Sequence, residues 1–577
     1  LKISIKPIQF AILACILLYI WQVLSVANKY QRFEKVINED AVGYYLILPA
    51  LFIYNDPNFQ FIDSSIRQQE NHKGYFPPVV NQLGNNKNVC KYYSGVALLQ
   101  SPFFIIGNSI LQQFESYSGF ELPYHYLILL SVIFYVSWSI ILLLKSLKLL
   151  SIPWYWSMTM VIVVIFGTNL QLYTTYDLAY SHSYSFFCFI ALIYCSLIYR
   201  QNPQLKTILF IGLLMGLIVV IRPANLLITL VPLFIIPFPV VKNQVKRHLL
   251  PLIVCLSIAP LIQMSLWHWQ TGHWIVYPYQ SETLNLFNPQ LAELLWSYNC
   301  GWFTYTPVMP IIVVFSCIAL LIQRKFKALL AVILILFPSI YIIASWYYIH
   351  YGCTLGCRPI TEFYGPIILL FAHSIRPFFM KKWFYLSFLT IGISSLIYNQ
   401  ILHYQFSNFI LNSCEMNKEN FKMIFLKTHR YYAYSTYNFW HFDQYKPNLI
   451  SDTTLNMKLS INENNKNDIQ SIYLKTKNRS DSSILINLNF KIKMAQSKNE
   501  SYVTMLLTEN NQYVELQNLL LKRVVKKNDE WTEYQYQILV TKPINECKID
   551  LTLGSIDDKA NTELVIERIE INTIKFN

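Results

Sequence analysis

Apolar runs of bilayer-spanning length recur along the first two thirds of the chain. They lie at about 8–27, 94–113, 125–144, 152–170, 184–199, 207–222, 224–241, 249–267, 305–323, 328–346, 363–375 and 384–402. A membrane-crossing helix needs about 20 mostly apolar residues, so this pattern predicts a polytopic α-helical membrane protein. After residue 404 the pattern changes. Asn, Lys, Ser and Glu become frequent and apolar positions alternate, as in Ile486, Leu488 and Phe490 against Leu485, Asn487, Asn489 and Lys491. Period-two alternation predicts strands with one buried face, here at 471–473, 483–492, 502–507, 534–540, 548–553 and 564–574. The expected organisation is a membrane module over 1–403, an interfacial Tyr- and Phe-rich connector over 404–450, and a β-sandwich-like domain over 451–577. The run at 8–27 follows Lys2 and Lys6, has no Ala-x-Ala-like cleavage site and precedes many further spans, so it reads as an uncleaved first helix.

Charge sharpens this picture. Only 14% of the residues are charged, against about 25% in soluble domains. The net charge of +14 does not indicate nucleic-acid binding, because the basic residues of the apolar half sit in short clusters between the runs. These clusters are Lys2/Lys6, Lys145/Lys148, Arg200/Lys206, Lys242/Lys246/Arg247, Arg324/Lys325/Lys327 and Arg376/Lys381/Lys382. The positive-inside rule puts all of them in the cytoplasm. That requires a tight hairpin at Arg222-Pro223 and one early run that does not cross. The run 94–113, with Gln100, Pro102, Gly107 and Asn108, is the expected re-entrant or juxtamembrane segment. About eleven crossings remain, in a cell inner (cytoplasmic) membrane, with the N-terminus inside and the C-terminal domain extracytoplasmic. The first outer loop is 28–93. It and the segments 114–124, 171–183, the Arg222 turn, 268–304 and 347–362 then share the extracytoplasmic face.

Those outer segments hold the candidate chemistry. Glu39-Asp40 follows the first span, where a carboxylate can serve as general base or bind a divalent metal. Lys73, Tyr75, Pro77, Pro78, Lys91, Tyr92 and Tyr93 bring cations and rings to the rest of that loop, suited to a phosphate and a sugar or simply to interfacial anchoring. Asp177 and His182 stand at the membrane boundary, where polar groups are costly. Arg222 lies between two apolar runs with almost no loop, at the depth of a lipid phosphate that its guanidinium could grip with two hydrogen bonds. The segment 346–362 crowds aromatics around two glycines, with Arg358 and Glu362 four residues apart, a spacing that also suits a local ion pair. Cys353 and Cys357 are the only close cysteine pair. Packing or a disulfide explains them better than zinc, which would need two further ligands.

In their order along the chain, NEDAVGYYLILPALFIY, KYYSGVALLQSPFF, YSHSYSFF, IRPANLL and WYYIHYGCTLGCRPITEFY resemble the GT-C glycosyltransferases. They are most similar to the Bacteroidetes membrane proteins of the protein-mannosyltransferase-like branch. The resemblance covers roughly 8–400. It implies a GT-C-like bundle and a polyprenyl-phosphate sugar donor, with inversion at the anomeric carbon. It makes Asp40 the catalytic base with Glu39 its neighbour, gives Lys91, Arg222 and Arg358 the carrier phosphate, and puts His182, Asp177, Tyr92 and Glu362 in the sugar or acceptor pocket. The acceptor would be a glycan, a lipid or a protein. The order Glu39-Asp40 departs from the family's usual acidic pair, which leaves a requirement for Mg2+ or Mn2+ open. A lipid-linked saccharide transporter or flippase would spread polar groups over both faces. An O-antigen ligase or polymerase would place its large loop late in the bundle.

Overall fold

The computed structural model describes residues 7–62, 79–83, 87–428, 448–461, 467–475, 483–494, 501–509, 512–521, 530–540, 546–555 and 562–574. The chain divides into two units, 1–403 and 404–577.

The first unit is helical. It opens with α1 (Pro7–Lys29), then the short helices α2 (Asp40–Tyr45) and α3 (Ile47–Phe52) and a hairpin of β1 (Val80–Leu83) and β2 (Lys87–Cys90). Next come α4 (Gly95–Leu111), α5 (Leu122–Leu149), α6 (Trp154–Phe166), α7 (Leu170–Thr175), α8 (Ser181–Gln201) and α9 (Leu205–Ile221). A 3-10 helix (Pro223–Leu230) leads into α10 (Val231–Ile235) and the long α11 (Phe238–Thr271). After a loop come α12 (Leu291–Trp296), α13 (Trp302–Tyr305) and α14 (Val308–Ile322). The next span is built from α15 (Phe326–Ala331), a π-turn and α16 (Phe337–Ala344). A second 3-10 helix (Arg358–Phe363) precedes α17 (Tyr364–Ser374), and α18 (Lys382–Ser407) ends the bundle.

Among the described residues six helices are long and apolar enough to cross a membrane, or seven if a pair bent by 94° (Pro223–Ile235 and Phe238–Gln244) counts as one span. This is fewer than the eleven expected from the apolar runs. Several runs form helices of only 13 to 17 residues, among them α4, α6, α9 and α14, because prolines, glycines and polar residues cut the apolar stretch short. The run 94–113 is one continuous helix with Pro102 inside it, packed against α5 and α9. Its Gln, Pro and Asn do not interrupt the backbone.

The second unit opens on α19 (Lys418–Ile424), inside the expected connector. Its eight strands are β3 (Asn448–Ile461), β4 (Asn467–Lys475), β5 (Ser483–Met494), β6 (Ser501–Glu509), β7 (Gln512–Leu520), β8 (Thr532–Val540), β9 (Glu546–Ser555) and β10 (Thr562–Ile574). They form two four-stranded antiparallel sheets, β3-β10-β5-β8 and β4-β9-β6-β7. Leu488, Phe490 and Ile492 are buried on β5, and Ile549, Leu551 and Leu553 on β9, as period-two alternation requires. Every expected strand lies within one of these eight. β3 and β7 were not foreseen, because their polar residues mask the alternation.

Candidate functional site

The first loop delivers its acids through strain. Glu39 has φ +50° and ψ −128°, a region that costs a non-glycine residue about 1–3 kcal/mol. This sharp entry turns the chain into α2 and sets Asp40 in its first turn. Glu39 and Asp40 then point to different partners. The Tyr180 hydroxyl donates to Glu39 Oε2 at 2.6 Å. Asp40 Oδ1 accepts from the Tyr92 hydroxyl at 2.5 Å, and its Oδ2 lies 2.5 Å from Arg358 Nη2. The side chains of Asp40 and Arg358 are 25% and 14% exposed, so this pair borders open space. Burial alone would raise the Asp40 pKa, but Arg358, Tyr92 and Lys91 together hold it below the usual carboxylate range. Burial and the neighbouring Asp40 push the Tyr92 phenol well up, so it stays protonated as the donor.

A fixed backbone holds Arg358. Asn169 is buried, donates to Leu355 O at 2.9 Å, and accepts from Thr306 and Tyr364, each at 2.8 Å. Tyr173 adds a second hydrogen bond to Leu355 O at 3.0 Å. Pro359 then starts the 3-10 helix, and the Arg358 guanidinium lies 5.3 Å from the centre of the Tyr180 ring.

A second cluster adjoins the first. Glu362 is fully buried, and its Oε1 accepts from Arg222 Nη1 and His182 Nδ1, each at 2.7 Å. Asn225 donates to its other oxygen at 2.5 Å. The two clusters meet through Tyr44, which donates to Ser181 beside His182 and packs against Tyr92 with ring centres 4.4 Å apart. Lys91 pairs with Glu282 at 2.5 Å and lies 5.7 Å from the centre of the Tyr279 ring. Tyr279 also meets Tyr92, Tyr93 and Trp346. Arg32 pairs with Asp177 at 3.0 Å and lies over the Tyr176 ring.

All nine candidate side chains therefore gather at one end of the bundle, several with partners that their spacing in sequence does not indicate. Arg358 pairs with Asp40, not with Glu362, because its 3-10 helix does not carry the i to i+4 register of an α-helix. Glu362 and His182 face each other in the interior. They are buried and hold Arg222, whose own side chain is 18% exposed. Asp177 is likewise buried, as the partner of Arg32. Burial raises its pKa to about 6 against the opposing pull of Arg32. Arg32, Glu282, Tyr279, Asn169 and Asn225 were not singled out from sequence. Glu282 is one of only two acids in the loop 268–304, which was its one available signal. Lys73, Tyr75, Pro77 and Pro78 lie outside the described residues.

The first-loop acids do not fit Mg2+ or Mn2+ as arranged. Arg358 and Tyr92 engage both oxygens of Asp40, and Glu39 turns toward Tyr180. Among the described residues the one group with metal-ligand spacing is Glu293, Cys300 and His350, whose ligand atoms lie within 4.8 Å of one another. A thiol and an imidazole suit zinc better than those hard cations. Cys353 is disulfide-bonded while Cys357 is a buried free thiol, so the two are not joined to each other. Compared with known protein families and with curated proteins, the chain matches none.

Proposed function

We propose that the chain is a membrane-embedded glycosyltransferase that moves a sugar from a polyprenyl-phosphate carrier to a glycan, lipid or protein acceptor on the extracytoplasmic face. The observation that carries this reading is Asp40, a partly exposed carboxylate held by Arg358 and Tyr92 beside Lys91 and Arg222 at the end of an apolar bundle. A bilayer-borne phosphate presents its head at that depth, with cations and rings around it.

In the reaction the acceptor hydroxyl oxygen attacks the anomeric carbon as the bond from that carbon to the phosphate oxygen breaks. The hydroxyl proton passes to Asp40. The carrier leaves with the electron pair of the broken bond, as a phosphate monoester with one more negative charge than the diester. Arg222, Arg358 and Lys91 stabilise that charge. Before donor binding, Arg358 keeps Asp40 a weak base. A phosphate that draws Arg358 toward itself raises the proton affinity of Asp40, so donor binding prepares the base. A single displacement inverts the anomeric centre. No metal step is part of this reading, and chelation by EDTA is expected to leave the rate unchanged.

The same reading adds α6, α9, the segment 223–235, α14 and α17 to the six long helices as crossings, eleven in all, leaves α4 as the re-entrant or juxtamembrane segment, and stacks the two C-terminal sheets as a sandwich outside the cytoplasmic membrane.

The test is transfer from a panel of polyprenyl-phosphate sugars in membranes that supply acceptors. Wild type is compared with Asp40→Asn at matched folding quality. The expected result is one donor consumed by wild type and a loss of at least about 100-fold in the variant. Equal rates would place the base elsewhere. Consumption of a pyrophosphate-linked oligosaccharide alone would favour a ligase or polymerase. Movement of an intact lipid-linked saccharide across vesicles without bond cleavage would favour a flippase.

A further inference from the structure

The basic residues at the other end of the bundle are explained one cluster at a time by membrane topology, yet the fold brings two of those clusters to one place. An apolar chamber of about 690 Å³ lies among α8, α10, α15 to α16 and α17, with Leu197, Phe234, Ile335 and Leu370 in its walls. Arg200, Arg324, Lys325 and Lys327 also line it, and no carboxylate does.

Arg200 comes from the last turn of α8, Arg324 and Lys325 from the turn between α14 and α15, and Lys327 from the first turn of α15. Lys325 donates to His373 O at 3.2 Å and Lys327 to Ile236 O at 3.3 Å, which ties that turn to the ends of α17 and α10. Among the described residues neither Arg200 nor Arg324 has a carboxylate partner. Four cations without a countercharge around an apolar void call for an anion joined to a hydrocarbon.

The leaflet follows from α8. His182 and Arg200 lie eighteen positions apart on this one helix, which is about 27 Å at 1.5 Å per residue. That is close to the roughly 30 Å of a bilayer core. The basic mouth and the acid–base cluster therefore face opposite leaflets, and a lipid held at this mouth is not the one whose phosphate would reach Asp40.

We propose that this chamber binds an anionic diacyl phospholipid of the leaflet opposite the acid–base cluster. Its phosphate sits among Arg200, Arg324, Lys325 and Lys327, and an acyl chain fills the chamber. The volume falls within the about 300–1,000 Å³ usual for ligand sites, and basic pockets between membrane helices are the expected place for anionic head groups. The positive-inside rule accounts for the presence of these cations, but not for their convergence on a void. Phe363, next to Glu362, and Ile228, on the 3-10 helix of Asn225, are also in the chamber wall. The bound chain thus packs behind the two segments that hold Arg222.

The experiment is native mass spectrometry of the full chain after exchange into equimolar phosphatidylglycerol and phosphatidylcholine. Wild type is expected to retain phosphatidylglycerol with a preference of at least about tenfold. The double variant Arg200→Gln/Arg324→Gln loses the preference. Ala331→Phe, which fills the chamber and leaves every charge in place, retains less of both lipids. Equal retention by wild type, or an unchanged preference in the double variant, overturns the proposal. So does displacement of phosphatidylglycerol by an equal amount of polyprenyl phosphate, which would give the chamber to the carrier.

Discussion

Glu362 holds three side chains at once, from α8, from the turn after α9 and from the 3-10 helix that follows it. Removing one member of a buried ion pair strands the other, at a cost of about 3–5 kcal/mol. Glu362→Ala is expected to destabilise the protein by about that much, read from thermal unfolding in detergent. Adding Arg222→Met removes the stranded cation and recovers part of the loss. A double variant no more stable than the single would mean that Arg222 is not the stranded group. Asp177 gives a pH signature of opposite character. Its folded pKa of about 6 lies above the usual 3.8, so between those values the folded state binds more protons than the unfolded one. Stability therefore falls as pH rises from about 4 to 6, by about 3 kcal/mol at 1.36 kcal/mol per unit. Asp177→Asn is expected to lack that slope when unfolding is compared at pH 4.5 and 7. A slope equal to that of wild type would show that Asp177 titrates normally.

Between elements, small residues decide how closely helices approach. Gly212 and Gly216 lie four apart on α9 and face the backbone of α11. A Cβ at Gly216 would meet Leu256 O at 2.1 Å, and one at Gly212 would meet Leu252 O at 2.6 Å. This is the small-xxx-small contact of membrane helices, and it fixes α9, whose end leads directly into Arg222. Gly216→Ala is expected to cost about 1–3 kcal/mol through overpacking, seen as a lower unfolding midpoint, and to move Arg222. Gly43 has a comparable role on α2, since a Cβ there would meet the Tyr92 ring at 2.2 Å. The sequence made elements legible where one signal sufficed, as in the long apolar helices and the alternating strands β5 and β9. Their pairing was not legible. Nothing local links Arg358 to Asp40 or Arg32 to Asp177, because those contacts join residues separated by several helices. The candidate acids and cations were found because charge near an apolar run is costly and therefore conspicuous. Asn169 and Tyr279, which organise the same cluster, carry no charge and gave no such signal.

For the molecule as a whole, the question is whether the segment after Arg222 crosses the bilayer or turns back. Its start belongs to the acid–base cluster, through Arg222 and Asn225. Its end belongs to the basic mouth, where Lys327 donates to Ile236 O. Eight residues of 3-10 helix and five of α-helix connect them, a rise of roughly 24 Å at about 2.0 and 1.5 Å per residue. With local thinning that is enough to span the hydrocarbon. A 94° bend follows it. The proposed topology takes the segment as a full span whose first half is 3-10 helix, with Arg222-Pro223 as the hairpin turn that the positive-inside rule requires. Single cysteines test this with a membrane-impermeant maleimide. Asn202→Cys and Asn243→Cys, at the two ends of the hairpin, are expected to label only after permeabilisation, and Asn288→Cys in the loop before α12 to label in intact cells. If Asn243→Cys labels in intact cells while Asn202→Cys does not, the segment re-enters instead of crossing. That outcome would also separate Lys327 from Ile236, so it would contradict the packing of the basic mouth as well as the topology.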